Sequence, residues 1–405
     1  MPSARWKMNL DTNKLFYIDI DCTMEKHVRF GVIGLGLMGK EFASSVARWC
    51  HLVDDNLPKP VITGVCDNSN EPARAWFVKN FDSIKVSCTD YRELLASDEI
   101  DAIYCAVPHH LHEQIYTDII RAGKHLLGEK PFGIDLAANT NILAEINKRP
   151  DLQVRCSSEF PYFPGAKRVT DWIKSGSYGQ LIEVRSGFHH ASDMDLNKPI
   201  NWKRMIDING EYGCMGDLGL HTQHIPFRMG WTPKSVYADL QKIAETRPDG
   251  HGNIVPCLTW DNAVLTTRCD DPLTGKEFTL VFETKRMAPG QTNTWFIEVY
   301  GTLGSVKFST HDPKAFYFLE TTGKEQGWTR IDIGSQSFIP TITGGIFEFG
   351  FSDAFQQMIG AFVQDLSKIE TTQSFKNVTP AETHLSHRLM TAALESHATG
   401  RRVEV

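Results

Sequence analysis

The segment Val32-Ile33-Gly34-Leu35-Gly36-Leu37-Met38-Gly39 decides the fold of this chain. A strand-like run from Phe30 leads into it, and a helical pattern follows it. Gly34 permits a tight turn, Gly36 leaves room for a phosphate to approach the main chain, and Gly39 lets the helix pack close to the strand. The spacing therefore predicts a turn that holds the pyrophosphate of a dinucleotide.

Asp67 supplies the second half of this signal. It closes the second predicted strand, which runs over residues 61–66. A carboxylate there accepts both ribose hydroxyls of an adenosine and repels a 2′-phosphate, which favours NAD over NADP. Leu37 and Met38 open the helix, and their amides are expected to face the phosphate. An ordinary surface aspartate at a strand end is the alternative interpretation. The segment 50–60 is interpreted as a loop insertion, since the interval from Gly39 to Asp67 is long.

Length, charge and cysteine usage narrow the class of protein. The 405 residues suffice for two domains with full cores. The net charge of -7 argues against a general nucleic-acid binder and against binding to an anionic membrane surface. No apolar run approaches the roughly 20 residues needed to span a bilayer. The nine cysteines are scattered without a Cys-x-x-Cys pair, which predicts reduced thiols and a cytoplasmic protein.

Three regions are predicted along the chain. Residues 1–26 form an N-terminal arm that packs on the body or on a partner subunit, and they lack the continuous apolar core of a secretory signal. Residues 27–150 alternate strands and helices, as in a Rossmann domain with a doubly wound parallel sheet. Residues 151–405 contain long β-rich stretches followed by two helices, near 351–369 and 381–398. They predict an α+β domain with a large, open and mostly antiparallel sheet.

Further motifs, taken with the glycine-rich turn, resemble the Gfo/Idh/MocA family of glucose-fructose oxidoreductases and inositol dehydrogenases. The resemblance implies a nicotinamide dinucleotide cofactor, an active site between the two domains and a sugar or polyol substrate. It also implies a homodimer or homotetramer and a last helix, about 381–399, that packs back on the Rossmann domain. The motifs occur in the family's order and are Thr89 to Leu95, Pro108 with His112, Glu129-Lys130-Pro131, Gly216-Asp217-Leu218-Gly219-Leu220-His221 and Gly301 to Ser305.

Glu129-Lys130-Pro131 follows the predicted strand 125–127, so it lies at the carboxyl end of the parallel sheet, where ligands bind in such folds. Lys130 is the first candidate catalytic residue. Its ammonium can hydrogen-bond the substrate hydroxyl and stabilise developing charge, and a neighbouring cation would lower its pKa. The resemblance implies a cis peptide before Pro131 and a place for Glu129 and Lys130 beside the cofactor. A solvated lysine in a turn is the alternative.

Asp217, His221 and His224 recur at helical spacing and are predicted to share one face of a helix. The resemblance places Asp217 and His221 beside the substrate. His221 is the candidate general base, and Asp217 orients it or binds a neighbouring hydroxyl. His224 binds substrate or only packs. No metal is predicted, because hydride transfer needs none and a fourth ligand is not visible.

Pro108 ends a strong strand, and His109 and His112 follow it beside the expected cofactor site. His109 departs from the family, which commonly has asparagine there, so the usual contact to the nicotinamide-side ribose is in doubt. His112 contacts the cofactor or only caps the next helix.

The substrate side of the cleft is expected to include His189, Trp202 and Arg204. His189 ends a strand that faces the cleft, and Trp202 precedes two cations, Lys203 and Arg204. An aromatic ring beside cations suits a sugar that carries an acidic group. A loop tryptophan that covers apolar surface is the alternative.

The leading hypothesis is an NAD-dependent oxidoreductase that oxidises a secondary hydroxyl of a sugar, polyol or glycoside. A second hypothesis uses the same residues in an NAD-dependent glycosidase, as in family members that act on sulfoquinovosides or N-acetylgalactosaminides. Such an enzyme oxidises a ring hydroxyl transiently, eliminates the aglycone, adds water and returns the hydride. A third hypothesis is a sensor that binds dinucleotide without turnover, and the presence of Lys130, Asp217 and His221 argues against it.

Overall fold

The computed structural model describes residues 27–54, 56–321, 323–334, 337–369 and 375–405. The predicted N-terminal arm over residues 1–26 lies outside these described residues.

The first domain is built on a parallel sheet of six strands in the order β3-β2-β1-β4-β5-β6. The chain crosses from one side of β1 to the other between β3 and β4, so the carboxyl ends of β1 and β4 flank a crevice where ligands bind in such sheets. Its elements are β1 (His27–Ile33), α1 (Leu37–Ala47), β2 (Lys59–Cys66), α2 (Glu71–Asn80), β3 (Val86–Cys88), α3 (Tyr91–Ala96), β4 (Ala102–Cys105), α4 (His112–Arg121), β5 (His125–Gly128), α5 (Leu136–Asn147) and β6 (Val154–Cys156).

Local chemistry explains the ends of these elements. Asn70 caps α2 by accepting a hydrogen bond from the Ala73 amide at 3.1 Å, so α2 begins at Glu71. β2 already begins at Lys59, which shortens the predicted loop insertion. The four inner strands, β1, β2, β4 and β5, are largely buried runs with little alternation, because helices cover both faces of a parallel sheet.

The second domain is built on a sheet of nine strands in the order β16-β15-β14-β13-β7-β12-β11-β8-β17. All neighbours are antiparallel except β7 and β12, so the sheet is mixed. Its elements are α6 (Pro164–Lys174), β7 (Leu181–His189), α7 (Ile206–Asn209), α8 (Cys214–Arg228), β8 (Pro233–Gln241), β9 (Thr246–Pro248), β10 (Ile254–Pro256), β11 (Asn262–Asp270), β12 (Glu277–Lys285), β13 (Thr294–Gly301), β14 (Gly304–Ser309), β15 (Ala315–Glu320), β16 (Thr329–Asp332), α9 (Phe351–Leu366), α10 (Pro380–Thr399) and β17 (Val403–Glu404).

The sheet strands alternate buried and partly exposed residues, since one face packs on helices and the other is open. The buried face packs on α8, which is covered along almost its whole length. The strands β15 and β16 were not predicted, and they extend the sheet at the edge beyond β14.

The last two helices contact the Rossmann domain. In α9, Gln356 donates to the carbonyls of Ser45 and Arg48 at 3.1 and 2.8 Å. In α10, the Thr383 hydroxyl accepts a hydrogen bond from the Asn139 side chain at 3.1 Å. α10 starts at a capping box of Thr379 and Glu382 and ends at Gly400, whose left-handed conformation suits glycine.

Candidate functional site

The glycine-rich turn has the geometry that its spacing predicts. Gly34 adopts φ +87°, and a β-carbon there would overlap the main chain of Ala106. A β-carbon on Gly39 would overlap the carbonyl oxygen of Gly34. A β-carbon on Gly36 would have no neighbour within 4 Å, so this glycine borders open space. Gly34 and Gly39 therefore serve packing, whereas Gly36 keeps a cradle open above the main chain.

The residues around this cradle suit a dinucleotide. Leu37 and Met38 are the first residues of α1, and amides in a first helical turn have no acceptor within the helix. Asp67 lies beside the turn, where one carboxylate oxygen accepts the Leu35 amide at 3.0 Å. Arg74 donates to the Asp67 carbonyl. The same carboxylate also accepts the amides of Ser69 and Asn70 at 3.2 and 3.0 Å, so one of its about four acceptor sites remains for a ribose hydroxyl. Phosphate over Gly36 would satisfy the free amides of the first helical turn, so the turn fits NAD.

Pro108 lies just beyond β4, at the start of a short 3-10 turn that includes His109. The His109 ring is buried, and its Nδ1 donates to the Asn209 carbonyl at 2.9 Å. Burial lowers the pKa of His109 well below its usual range. The His112 ring donates from Nε2 to the Val107 carbonyl at 3.0 Å and accepts the Gly133 amide at 3.3 Å, so both of its nitrogens are used. His112 therefore connects the segment after β4 with the segment after β5 through hydrogen bonds to their main chains.

Glu129, Lys130 and Pro131 follow β5 directly, and the Lys130–Pro131 peptide is cis. The Glu129 carboxyl is buried beneath the site, where it accepts the Tyr104 hydroxyl at 2.7 Å. Burial raises the pKa of Glu129. The Glu129 carboxyl thus points into the protein core. The structure therefore gives no support for the predicted contact between this carboxyl and the cofactor.

Lys130 and Asp217 form the centre of the site. The Lys130 ammonium donates to the Asp217 carbonyl at 2.6 Å and to its carboxylate at 2.8 Å. Burial lowers the pKa of Lys130, and the neighbouring Arg286 lowers it further. An ammonium has three donors, so these two bonds leave one for a ligand.

His221 lies one helical turn after Asp217 on α8. Its ring packs edge-to-face against Phe160 and Phe188, which contact each other, and its Nδ1 is 3.4 Å from the Ser158 hydroxyl and 3.9 Å from the Glu159 carboxyl. Burial first and Lys130 second lower the pKa of His221 well below its usual range, so the ring is neutral near pH 7. Asp217 binds cations here and does not hydrogen-bond His221, which is contrary to the first of its two predicted roles, orienting this ring; the second, binding a neighbouring hydroxyl, stays a prediction.

Two predicted histidines lie away from this centre. The His224 ring packs on Phe375 and lies 3.4 Å from the Arg228 guanidinium, which matches the packing alternative. His189 is on the open face of the sheet, where its Nε2 is 3.5 Å from Glu283. The next residue, His190, packs on Phe188 and lies near Lys130, Lys203 and Arg286; burial and these cations lower its pKa to about 4. The structure thus places His190, and not the predicted His189, beside the candidate site.

The cations after Trp202 are also divided between two environments. Arg204 is completely buried, where it pairs with Asp193 at 2.7 Å and with Asp261. It is therefore structural, not a ligand for substrate as predicted. Lys203 instead enters the site, with its ammonium 3.3 Å from the Asp217 carboxylate. Trp202 packs against the edge of His109, with ring centroids 5.1 Å apart, at the rim of the same site.

Sequence reasoning missed two charged residues. Arg286 follows β12, pairs with the Asp217 carboxylate and is almost fully buried. Glu159 follows β6 and is buried beside His221; desolvation and Glu129 raise its pKa to about 8. Each residue lies within three positions of the end of a strand. That position is the sequence signal from which a place in the site could have been predicted. The described residues contain no group of three His, Cys, Asp or Glu side chains that could hold a metal ion.

Comparisons with known proteins agree with this geometry. Residues 28–156 match an oxidoreductase family with an NAD-binding Rossmann fold, and residues 166–307 match the GFO/IDH/MocA C-terminal domain. Across the described ranges, each helix is too short or too polar to traverse a bilayer.

Two curated relatives are sugar dehydrogenases by name. Levoglucosan dehydrogenase of Pseudarthrobacter phenanthrenivorans is 23% identical over 299 residues, which cover 70% of this chain and 74% of that protein. Glucose-6-phosphate 3-dehydrogenase of Bacillus subtilis is 22% identical over 295 residues, which cover 72% and 77%. A solved levoglucosan dehydrogenase, in complex with NADH and levoglucosan, has the same fold. Its TM-score is 0.82 at 20% identity, over 94% of this chain and 100% of that one.

Proposed function

Because the chain belongs to the Gfo/Idh/MocA family and carries its NAD-binding domain, we propose that it oxidises a secondary hydroxyl of a sugar, polyol or glycoside. The observation that carries this proposal is the Lys130–Asp217 ion pair with His221 one turn further along α8. The names of the two relatives support a carbohydrate substrate. Bound NAD supplies the acceptor for the hydride that leaves the carbinol carbon.

Lys130 holds the reacting hydroxyl in this proposal. Asp217 occupies two of its three donors, which fixes the direction of the ammonium, and the third donates to the substrate oxygen. A cation at this position stabilises the negative charge that develops on the oxygen as its proton leaves.

His221 accepts that proton. Its Nδ1 faces Ser158 and Glu159, so Nε2 is the nitrogen that serves the substrate. Because burial keeps the ring neutral near pH 7, it has a lone pair available for the hydroxyl proton. Phe160 and Phe188 pack against the ring together and shield that side of it from water.

The test is NADH formation from NAD and a panel of free sugars, polyols and nitrophenyl glycosides. Lys130→Met removes the ammonium and keeps the chain length, and we expect kcat to fall about 10²–10⁴-fold. Lys307→Met is the matched control, since that lysine packs on Trp328 on the open face of the sheet. We expect its kcat to equal that of the wild-type protein.

Other outcomes of the same assay would replace the proposal. Nitrophenol release without net NADH would favour the redox-assisted glycosidase. NAD binding without turnover of any compound would favour the sensor. Unchanged kcat in Lys130→Met would remove Lys130 from the chemistry.

A further inference from the structure

Three cations converge on a single carboxylate in the candidate site. The Asp217 carboxylate contacts Lys130 at 2.8 Å, Lys203 at 3.3 Å and the Arg286 guanidinium. With all three groups protonated, one carboxylate neutralises one of these charges and the cluster keeps a positive excess.

The neighbouring carboxylates do not remove this excess. Asp193 and Asp261 are already matched by two cations: Arg204 pairs with both, and Lys198 lies 3.3 Å from Asp193. Arg286 reaches Asp193 only at 4.0 Å. That network is balanced by itself and contributes no spare negative charge.

The two buried glutamates near Lys130 do not change the sign of the net charge of the cluster. Burial raises the pKa of Glu159 to about 8, so it is mostly neutral at pH 7. Burial also raises the pKa of Glu129, whose carboxyl is turned toward Tyr104. Even with Glu129 ionised, three cations face two carboxylates.

The cations also destabilise one another. Burial lowers the pKa of Lys203 well below its usual range, and the charges of Arg286 and Lys130 lower it further. Burial lowers the pKa of Arg286 to about 10. An anion placed among these groups would relieve both the repulsion and the lost hydration.

Accessibility identifies the residue that meets such an anion. The side chain of Lys203 is 35% exposed, against 17% for Lys130 and 4% for Arg286. The Trp202 ring lies 5.7 Å from the Lys203 ammonium and offers an apolar surface for a sugar ring. Lys203 is therefore placed at the rim to bind a charged substituent, above a fixed charge on Arg286.

We propose that the substrate is an anionic sugar whose carboxylate, sulfonate or phosphate group is bound by Lys203 with Arg286 beneath it. This inference rests on the proposed sugar oxidation at the same site, and it names the substrate class. Lys130 and His221 then act on a hydroxyl group of the same molecule.

The test compares each neutral sugar with its uronate, its 6-phosphate and its 6-sulfonate. With NAD present, we expect at least tenfold higher kcat/KM for the preferred anionic member, and a preference that falls as salt concentration rises. Calorimetry with NADH-bound protein measures affinity without turnover, and we expect the same order. Comparison of the three anionic sugars shows whether the site prefers a carboxylate, a phosphate or a sulfonate.

Lys203→Met should reduce the anionic preference about 10–100-fold in both measurements, and Lys203→Arg should restore most of it. Lys242→Met is the control, since this lysine is exposed and packs on Trp260. Thermal melting of each variant verifies that it is folded.

The outcomes separate this inference from the proposed function. Oxidation of neutral sugars with no anionic preference, or a preference unaffected by Lys203→Met, would overturn the inference and leave the oxidoreductase standing. Lys203-dependent binding of an anionic sugar without any oxidation would support the inference and overturn the proposed oxidation.

Discussion

Glu159 is an unusual residue in this site because its carboxyl is buried against other acidic groups. Desolvation, together with Glu129 and Glu41 and against the effect of Lys130, raises its pKa to about 8. His221 lies 3.9 Å away and is itself kept neutral by burial. The folded protein therefore holds a proton on Glu159 at pH values where the unfolded chain has already released it.

This difference predicts a pH dependence of stability. The folded pKa lies above the unfolded value of about 4.3, so the contribution of Glu159 is complete below that value and is lost as pH rises toward 8. The slope from this group is at most about 1.4 kcal/mol per pH unit. Glu159→Gln keeps the neutral shape, so we expect the difference in unfolding free energy, variant minus wild type, to grow from pH 5 to pH 8.

Urea denaturation at several pH values measures that difference. The control is Glu320→Gln, at an exposed residue at the end of β15. It should leave the pH profile parallel to that of the wild type. A constant difference between Glu159→Gln and wild type across this range would mean that Glu159 is ionised when folded.

At the scale of single residues, the sequence does not decide which of two adjacent side chains faces the cleft. The sequence predicted His189 and Arg204 on the substrate side of the cleft, whereas the structure places the adjacent residues, His190 and Lys203, beside Lys130 and Asp217. Their inward members, His190 and Lys203, could not be identified: His190 follows directly on β7, where a shift of one residue reverses the face of every side chain, and Lys203 lies in a short turn whose orientation is set by contacts distant in sequence. That register is fixed by pairing with distant strands, as His189 pairs with Lys285.

At the scale of elements, two glycines in the turn between β1 and α1 have different roles: Gly36 leaves room for the cofactor, and Gly39 allows close packing. The open space at Gly36 and the close approach at Gly39 imply different effects of substitution. Gly36→Val, at φ -71°, requires no unusual backbone. We expect its unfolding free energy to change by less than about 1 kcal/mol and its Kd for NADH to rise at least tenfold, because the side chain fills the cradle.

Gly39→Ala is the matched substitution with the opposite effect. Its methyl group would overlap the Gly34 carbonyl, so α1 must shift from β1, and we expect a loss of about 1–3 kcal/mol. Urea denaturation and calorimetry with NADH measure both quantities for each variant. NADH affinity that survives Gly36→Val would place the cofactor away from this turn.

The Rossmann elements could be predicted because their signals are local. Strand, turn and helix follow one another within about 30 residues, and each glycine role can be assigned from spacing. The second sheet was predicted only as a class. Its central strand β7 pairs in parallel with β12 and antiparallel with β13, which are about 100 residues away along the chain. Nothing within the β7 segment specifies such partners.

At the scale of the whole molecule, α9 joins the two domains. Phe355 lies within 6.2 Å of the Tyr104 ring in β4, and Phe362 lies 6.3 Å from Phe30 in β1. One turn earlier on the same face of the helix, the Phe351 ring stacks on Phe355 and lies 6.2 Å from Phe160, which stacks on Trp295 of the large sheet. One apolar core thus continues from the parallel sheet to the mixed sheet.

A continuous core predicts that the domains unfold together. Phe355 is fully buried, so Phe355→Ala should cost about 3–5 kcal/mol. If the helix couples the domains, this loss lowers the protection of β4 amides and of β13 amides from hydrogen exchange by the same free energy. Phe347→Ala, at a phenylalanine that is 62% exposed, is the control and should leave both unchanged. A loss of protection confined to β4 would show that the cofactor domain unfolds independently, and NADH would then protect β4 without protecting β13.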